Sequence, residues 1–364
     1  MKIGLFGGAF DPIHLGHKRI IEEACSLLNL DKLLIIPTKH NPWKDTSIAS
    51  DSQRVEMINI TMHDCKKCIV STIELDSDDK KNYTINTIYQ LKDIYPNDDL
   101  YFIMGMDQAS KFHMWKDADK IANLVQLVAF YRDGYEANDN LDDFNFKLIE
   151  TTASNESSTS FREGVKEVVD HNVFVYACRN GLYLEPFVEK YMSKKRFEHT
   201  CSVALLAKEF AISNGLDGTK AYIAGMLHDI AKEMDSELED ELMNKLFSQF
   251  VDKPRAIYHQ WLSMFLAKRD FYIEDKEILQ AIENHTTASV NMSKLDMCVY
   301  CADKLDPLRG YDSSKQIKLC KEDILEGFKR ELINFYQFSK KKNREIDECF
   351  YDVYKTFCRG DING

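Results

Sequence analysis

The run Gly7-Gly8-Ala9-Phe10-Asp11-Pro12-Ile13-His14-Leu15-Gly16-His17 combines residue types that bind phosphate. It follows an apolar stretch, residues 3–6, and precedes a helical pattern, so it reads as strand, glycine turn and helix N-terminus. Glycines let backbone N–H groups approach an anion, and the helix entered near Leu15 points its partial positive end at the same place. His14 and His17 are three apart. On a first helical turn that spacing predicts both imidazoles on one face, each able to donate a hydrogen bond to a phosphate oxygen. A Gly-Gly pair alone would be read as a turn; the attached His-x-Gly-His is what makes it a candidate site. Two further segments have matching chemistry. Lys44, in the loop Asn41-Pro42-Trp43-Lys44, supplies a cation, and in Ser157-Ser158-Thr159-Ser160-Phe161-Arg162 hydroxyls at a helix start stand beside a guanidinium. Free N–H groups of that helix and Arg162 suit a triphosphate. Alone, the lysine would be a solvated side chain and the serine run a helix cap.

A different set occupies the second half: His199, the adjacent His228-Asp229, His259, His285 and Asp303. Four imidazoles and two carboxylates suit one or two divalent metals of hard to intermediate character, and iron or manganese fits this mixture better than zinc. Consecutive helical side chains diverge by about 100°, so the His228-Asp229 pair can serve two metals, or a metal and a bridge. Lys232, one turn beyond Asp229, and Arg309, shortly after Asp303, are candidate phosphate contacts.

The elements that must position these residues are legible from hydrophobic pattern. Strand-like runs at 33–37, 68–75, 100–104 and 125–131 alternate with helical patterns at 15–27, 53–64 and 85–95, which predicts a parallel, doubly wound α/β sheet. A run at 146–151 precedes a helical pattern over 162–169. In such sheets ligands bind beyond the strands' carboxyl ends, where the unusual residues fall. From about Phe187 the chain reads as helices with no convincing strand. The boundary is placed at Leu184-Glu185-Pro186, giving domains of 1–185 and 186–364, the second all-α. No function is assigned to 316–364.

At 364 residues with 44% hydrophobic content, two cores are expected. The net charge of -12 and the lack of a dense Lys/Arg block argue against nucleic acid as a partner. Met1-Lys2 runs straight into a strand and no apolar run reaches about 18 residues, so neither a signal peptide nor a membrane span is expected, and a cytoplasmic location follows. The ten cysteines are then expected as reduced thiols. A four-thiolate zinc site from Cys65/Cys68 and Cys298/Cys301 is disfavoured, because the pairs lie more than about two hundred residues apart in different predicted domains.

With these motifs in view, the first half resembles the nucleotidyltransferase superfamily, whose signature is a Gly-Gly-x-Phe-Asp-Pro turn followed by His or Thr, any residue, and Gly-His. It is similar to the nicotinate mononucleotide adenylyltransferases over residues 1–184. The resemblance implies an ATP site at Gly7, Gly8, Ala9, Phe10, Asp11, His14, His17, Gly105, Asp107, Ser158, Thr159 and Arg162, with Mg²⁺ accompanying the ATP. It implies an acceptor site at Lys44, Thr84 and Trp115 for nicotinate mononucleotide. Tyr83-Thr84-Ile85-Asn86-Thr87 would line the nicotinate pocket; from the residues alone Thr84 is a plausible helix cap. An indole face such as that of Trp115 can stack on a pyridine ring. Trp43, Lys116 and Phe161 depart from the usual pattern.

Residues 190–315 resemble the HD phosphohydrolase superfamily, and the order His, His-Asp, His, His, Asp is similar to the di-metal branch that splits diadenosine tetraphosphate, a dinucleoside polyphosphate, into two ADP. The resemblance implies metal ligands His199, His228, Asp229, His259, His285 and Asp303, with Asp229 and Lys232 in catalytic roles beside the transferase residues His14, His17, Lys44 and Arg162. Competing readings are another acceptor, nicotinamide mononucleotide or phosphopantetheine, and a second domain that hydrolyses another nucleotide or acts as a nucleotide sensor.

Overall fold

The computed structural model describes residues 1–39, 47–78, 82–131, 140–153, 156–343, 346 and 348–358. They fall into two compact units, Met1–Tyr176 and Ala177–Gly364. This break lies upstream of the boundary expected at Pro186. Leu182, Tyr183 and Leu184 are buried, and a Cβ on Gly181 would touch Ile223 and Tyr222, so the segment read as closing the first domain packs into the second unit.

The first unit is the expected parallel α/β sheet. Its elements are β1 (Lys2–Gly8), α1 (Leu15–Leu27), β2 (Lys32–Pro37), α2 (Asp51–Met62), β3 (Cys68–Val70), α3 (Thr84–Ile94), β4 (Asp99–Gly105), α4 (Met106–Ala109), α5 (Ala118–Leu124), β5 (Gln126–Tyr131), α6 (Asn140–Asp143), β6 (Lys147–Glu150) and α7 (Ser158–Arg162), and the break to the second unit falls within α8 (His171–Arg179). The six strands are ordered β3-β2-β1-β4-β5-β6, all pairs parallel. The order reverses between β1 and β4, the kind of switch point beyond which doubly wound sheets bind ligands. The central strands are buried on both faces, which explains their unbroken apolar runs. Ile3, Leu5, Leu34, Ile36, Phe102 and Met104 share one core with Ile85, Ile88 and Leu91 of α3 and Ile121 of α5. Each such side chain contributes about 1.5–3 kcal/mol when fully buried.

Helix α1 begins at the cap His14 and ends in a Schellman motif. Asn29 is left-handed (φ 50°), the Asn29 N–H donates to Ser26 and the Leu30 N–H to Cys25.

Three expectations for this unit are corrected. The strand predicted over 68–75 stops at Val70, because a turn closes from Thr72 to Asp76 and Glu74 turns inward to accept from the Thr87 hydroxyl at 2.8 Å. The helix predicted over 162–169 ends at Arg162, where Gly164 takes φ 90° and only a 3₁₀ turn, Lys166–Val168, follows. The cysteines are not all reduced: Cys65 and Cys68 form a disulfide. They are three apart across the turn after α2, where the Cys68 N–H donates to the Cys65 carbonyl and the Cα atoms stand 5.3 Å apart, within reach of a bridge.

The second unit is helical throughout its described residues: α9 (Glu185–Val188), α10 (Lys194–Ser213), α11 (Gly218–Leu227), α12 (Ser236–Leu246), α13 (Tyr258–Asp270), α14 (Lys276–Asn284), α15 (Lys294–Leu305), α16 (Ser314–Glu322), α17 (Ile324–Lys341) and α18 (Glu348–Phe357). Helix α15 is its axis, buried from Leu295 to Asp303 and packed on α10, α14 and α17. Cys298 and Cys301 are fully buried on it as free thiols. Gly225 lets α11 press on α10, since a Cβ there would stand 2.6 Å from the Ala204 Cα. Buried Asp296, which completes a capping box with Ser293, also accepts from Gln280 (2.7 Å) and Asn284 (3.0 Å), fastening α14 to α15. Among the described residues no helix is long and apolar enough to cross a membrane.

Candidate functional site

In the first unit, β1 ends at Gly8 and the chain turns through Phe10 (φ 48°) into α1. His14 is not inside the helix, as its spacing suggested, but is the N-cap in extended conformation. The His17 N–H donates to His14 Nδ1 at 3.3 Å and the His14 N–H to His17 Nδ1 at 3.2 Å, a reciprocal capping box made of imidazoles. The rings stack with centroids 3.5 Å apart, so the two side chains do share a face. Gly16 lies between them, and a Cβ there would stand 3.1 Å from His14 Nδ1, so any side chain at 16 would crowd the ring.

Helix α7 meets this turn from the far end of the unit. Ser157 caps α7, the Ser158 hydroxyl donates to the Pro12 carbonyl at 2.7 Å, and Arg162 donates to the Asp11 carbonyl at 2.5 Å and to the Thr159 hydroxyl at 3.2 Å. The two motifs, 146 residues apart at this contact, are therefore one structure. The Asp11 carboxylate is engaged by the N–H groups of Ile48 and Ala49, at 2.9 and 3.1 Å, and holds the start of α2 against the turn. Gly105 caps α4, the short helix after β4, and Asp107 is exposed in its first turn. Lys44 lies outside the described residues.

At the acceptor candidates, Trp115 is half-buried against Phe102 and Phe112, with centroids at 6.0 and 5.4 Å. Lys116 covers the Tyr83 ring at 4.2 Å. Thr84 is the first residue of α3 and not its cap; Tyr83 holds the cap position, and its carbonyl accepts from the Asn86 and Thr87 N–H groups. A small cleft here is lined by Glu74, Asn82, Tyr83, Asn86 and Thr87. Glu74 escaped sequence reasoning because its region reads as a strand. It is buried, its Oε2 has no hydrogen-bond partner among the described residues, and burial pushes its carboxyl up to about 7 despite the bond from Thr87.

In the second unit, five segments converge. His228 and His285 are the C-caps of α11 and α14, and each sets its Nδ1 2.6 Å from the carbonyl three residues back, Gly225 and Ile282. With Nδ1 as the assigned donor, each Nε2 is left with a lone pair directed into the cluster. Among the described residues His228 Nε2 is buried without a hydrogen-bond partner, the condition of a nitrogen kept for a metal ion. Two helix C-termini, with their partial negative charge, also point at this spot and favour a cation. His228, the C-cap of α11, keeps helical dihedrals (φ -59°, ψ -37°), so the His-Asp pair can diverge as consecutive helical side chains do although the helix ends there.

Asp229 sits between two triads of candidate ligands, one with His199 and His228, the other with His259 and His285. Its Oδ2 lies 3.5 Å from His228 Nε2, and its Oδ1 lies 3.4 Å from both His259 Nε2 and His285 Nε2. Asp303 Oδ1 stands 3.2 Å from His199 Nε2 and 3.9 Å from His228 Nε2. Burial disfavours both carboxylates, but His228 and His285 hold Asp229, and Lys304, His199, His228 and Arg309 hold Asp303, well below the usual range. Burial drives the His228 imidazole down to about 4 and His259 to about 2, so both are neutral near pH 7, as ligation requires. Lys232 Nζ lies 3.0 Å from His259 Nδ1, and Arg309 donates to Asp303 at 2.5 Å.

Three residues here were not foreseen. Arg196 pairs with Asp229 at 3.0 Å and Lys304 with Asp303 at 2.8 Å, adding two cations to the rim. Asp306 lies 2.6 Å from His199 Nδ1 and accepts from the Ser202 hydroxyl at 2.5 Å, which orients the imidazole. The spacing Asp303-x-x-Asp306 was the available signal for it.

Comparison with known proteins agrees with both constructions. Residues 5–164 match the cytidylyltransferase-like family and residues 196–308 the HD domain. A protein of Mycoplasma genitalium, named a probable nicotinate-nucleotide adenylyltransferase/Ap4A hydrolase, is 32% identical over 339 residues, covering 90% of this chain and 95% of its own length. One of Mycoplasma pneumoniae with the same name is 29% identical, covering 88% and 95%. A probable nicotinate-nucleotide adenylyltransferase of Aliarcobacter butzleri is 36% identical over 42% of this chain and 84% of its own. Both halves of the chain, in this order and at this length, place it in the nicotinate-nucleotide adenylyltransferase/Ap4A hydrolase family.

Proposed function

We propose that the chain carries two catalytic sites: the first unit transfers AMP from ATP to nicotinate mononucleotide, giving nicotinate adenine dinucleotide and pyrophosphate, and the second hydrolyses diadenosine tetraphosphate to two ADP. The observation that carries the first activity is the joining of the 7–17 turn to α7 through the Ser158 and Arg162 bonds to Pro12 and Asp11. No protein nucleophile is needed. The acceptor's phosphate oxygen attacks the α-phosphorus of ATP in line and pyrophosphate leaves, so catalysis consists of positioning and charge stabilisation. His14 and His17, braced by their own capping box, face the transferring phosphate, and Arg162 meets the charged oxygens with Lys44. Mg²⁺, held by the triphosphate itself, would offset charge on its oxygens. Thr84 and Trp115 receive the pyridine end of the acceptor.

For the second activity the carrying observation is the pair of ligand triads sharing Asp229. The set of imidazoles and two carboxylates fits two divalent metals, iron or manganese before zinc. When bound, such ions lower the pKa of a coordinated water towards about 7 and offset charge on phosphate oxygens. The chain's own residues do the rest: Asp306 fixes His199, while Lys232, Arg196, Lys304 and Arg309 bring cations to the polyphosphate.

The test supplies the purified chain with ATP and, in separate reactions, nicotinate mononucleotide, nicotinamide mononucleotide and phosphopantetheine. Diadenosine tetraphosphate with Fe²⁺ or Mn²⁺ is assayed in parallel. Preference for nicotinate mononucleotide and release of ADP alone are expected. Transfer to another acceptor, or AMP plus ATP as products, would overturn the corresponding half.

A further inference from the structure

A third cluster of ligand atoms lies in the first unit, on α1 and the turn after α2, among residues that neither activity uses. Cys25, on the last turns of α1, has its Sγ within 4.8 Å of both Cys65 Sγ and Cys68 Sγ. Cys25 is a free thiol. The three positions are held by a scaffold that does not depend on the Cys65–Cys68 bond. The Cys65 N–H donates to Met62 at 2.9 Å, the Cys68 N–H to Cys65 at 3.0 Å, and the Leu33 N–H to the Lys67 carbonyl at 2.8 Å. Lys67 Nζ then reaches the Leu30 carbonyl at 2.7 Å, next to the Schellman end of α1. Reduction of the disulfide would therefore leave three sulfurs converging from two elements.

We propose that, once the Cys65–Cys68 disulfide is reduced, Cys25, Cys65 and Cys68 bind one zinc ion through three thiolates. In a tetrahedral zinc site with Zn–S about 2.3 Å, sulfurs stand about 3.8 Å apart, a spacing that three sulfurs within 4.8 Å reach by small rotamer changes. Thiolates select soft ions over the hard ones that suit the carboxylate cluster of the second unit. Lys67 places a cation beside a site whose three thiolates and one Zn²⁺ carry a net negative charge. Simple thiol–disulfide exchange is the competing chemistry for a thiol beside a disulfide. A coordinating metal deprotonates a thiol outright, so metal binding needs no thiolate formed beforehand.

The chemistry balances. A phosphine reductant and one water convert the disulfide into two thiols and leave as the phosphine oxide; a dithiol leaves as its own disulfide. Three thiols then release three protons as three Zn–S bonds form, with the fourth position open to solvent.

The experiment uses the full chain, reduced with a phosphine and moved into metal-free buffer without oxygen, then titrated with Co²⁺ as a spectroscopic stand-in. A thiolate-to-cobalt charge-transfer band in the near ultraviolet is expected, which imidazole and carboxylate ligands in the second unit do not produce, and Zn²⁺ should displace it. Cys25→Ser should weaken Zn²⁺ binding at this site at least tenfold, and Cys298→Ser should leave it unchanged. Where Cys25→Ser does not fold, wild-type protein answers the same question: Zn²⁺ should protect Cys25, Cys65 and Cys68 together from alkylation. Absence of the band in reduced wild type, full affinity in Cys25→Ser, or alkylation of Cys25 undiminished by Zn²⁺ would each overturn the proposal. So would reoxidised protein in which Cys25 is bonded to Cys65 or Cys68, because exchange would then be the chemistry of the cluster.

Discussion

In the first unit the candidate phosphate site is held by side chains bonded to main-chain groups: two carbonyls tie α7 to the glycine turn, and a cap made of two imidazoles starts the helix. In the second unit the candidate site is assembled from side chains of five segments, buried together and oriented by helix ends and a carboxylate. The first kind of site tolerates loss of one contact better in folding than in catalysis. The second concentrates charge where burial is costly, so each member depends on its neighbours. Mutations should separate the two kinds.

The largest effect is expected at Asp229, which belongs to both triads. Asp229→Ala should remove bound metal from both and lower diadenosine tetraphosphate hydrolysis by about 10³-fold or more, with adenylyl transfer unchanged. Metal analysis decides, since wild-type stoichiometry in the variant would end the bridging role. Next comes His17→Ala, expected to lower adenylyl transfer by about 10²-fold or more and to spare hydrolysis. It also removes one side of the capping box, which costs about 0.5–2 kcal/mol, so the loss of turnover should far exceed the loss of stability. A variant retaining a tenth of the wild-type turnover would reduce His17 to a cap.

Asp306→Asn is expected to do less, because it touches no candidate metal position and acts by orienting His199. Metal affinity measured by chelator competition should fall about 10- to 100-fold, with Asp306→Ala falling further. Equal affinities for wild type and both variants would make Asp306 structural only.

The last effect, at Glu74, is on stability and not on either activity. Its carboxyl is raised from the ordinary 4.5 to about 7, so between those values the folded chain binds more protons than the unfolded one. The stability it lends is complete at low pH and is lost as pH rises through about 7. Glu74→Gln should match wild type near pH 4.5 and exceed it above pH 7, by up to about 3 kcal/mol. Hydrogen-exchange protection of the α3 amides at the two pH values measures this, and parallel curves for the two proteins would clear Glu74 of the pH dependence.

How much of each site could be read in advance follows from the same contrast. The turn at 7–17 and the cap at 157–162 are contiguous, so residue type and spacing expose them, as does the strand–helix alternation that fixes the sheet. What failed there was local: His14 as a cap and Thr84 as a first helical residue differ from expectation by one position, which periodicity does not resolve. The cluster in the second unit was legible only because histidine is scarce enough to stand out. Arg196, Lys304 and Asp306 are types found on any helix surface, and only folding shows that they face Asp229, Asp303 and His199. The Cys65–Cys68 bridge is not legible from compartment, which favours reduced thiols, because the turn decides the local geometry.

Asp296 joins α14 to α15 through Gln280 and Asn284, and those helices end in His285 and carry Asp303. The two residues are thus mounted on one stiff part. A fluctuation that parts this piece from the α10–α11 pair bearing His199 and His228 opens the cluster along the seam between them. An ion bridging that seam would act as a rivet, and slow exit of the ion and slow unfolding of the helices would then be two views of one event.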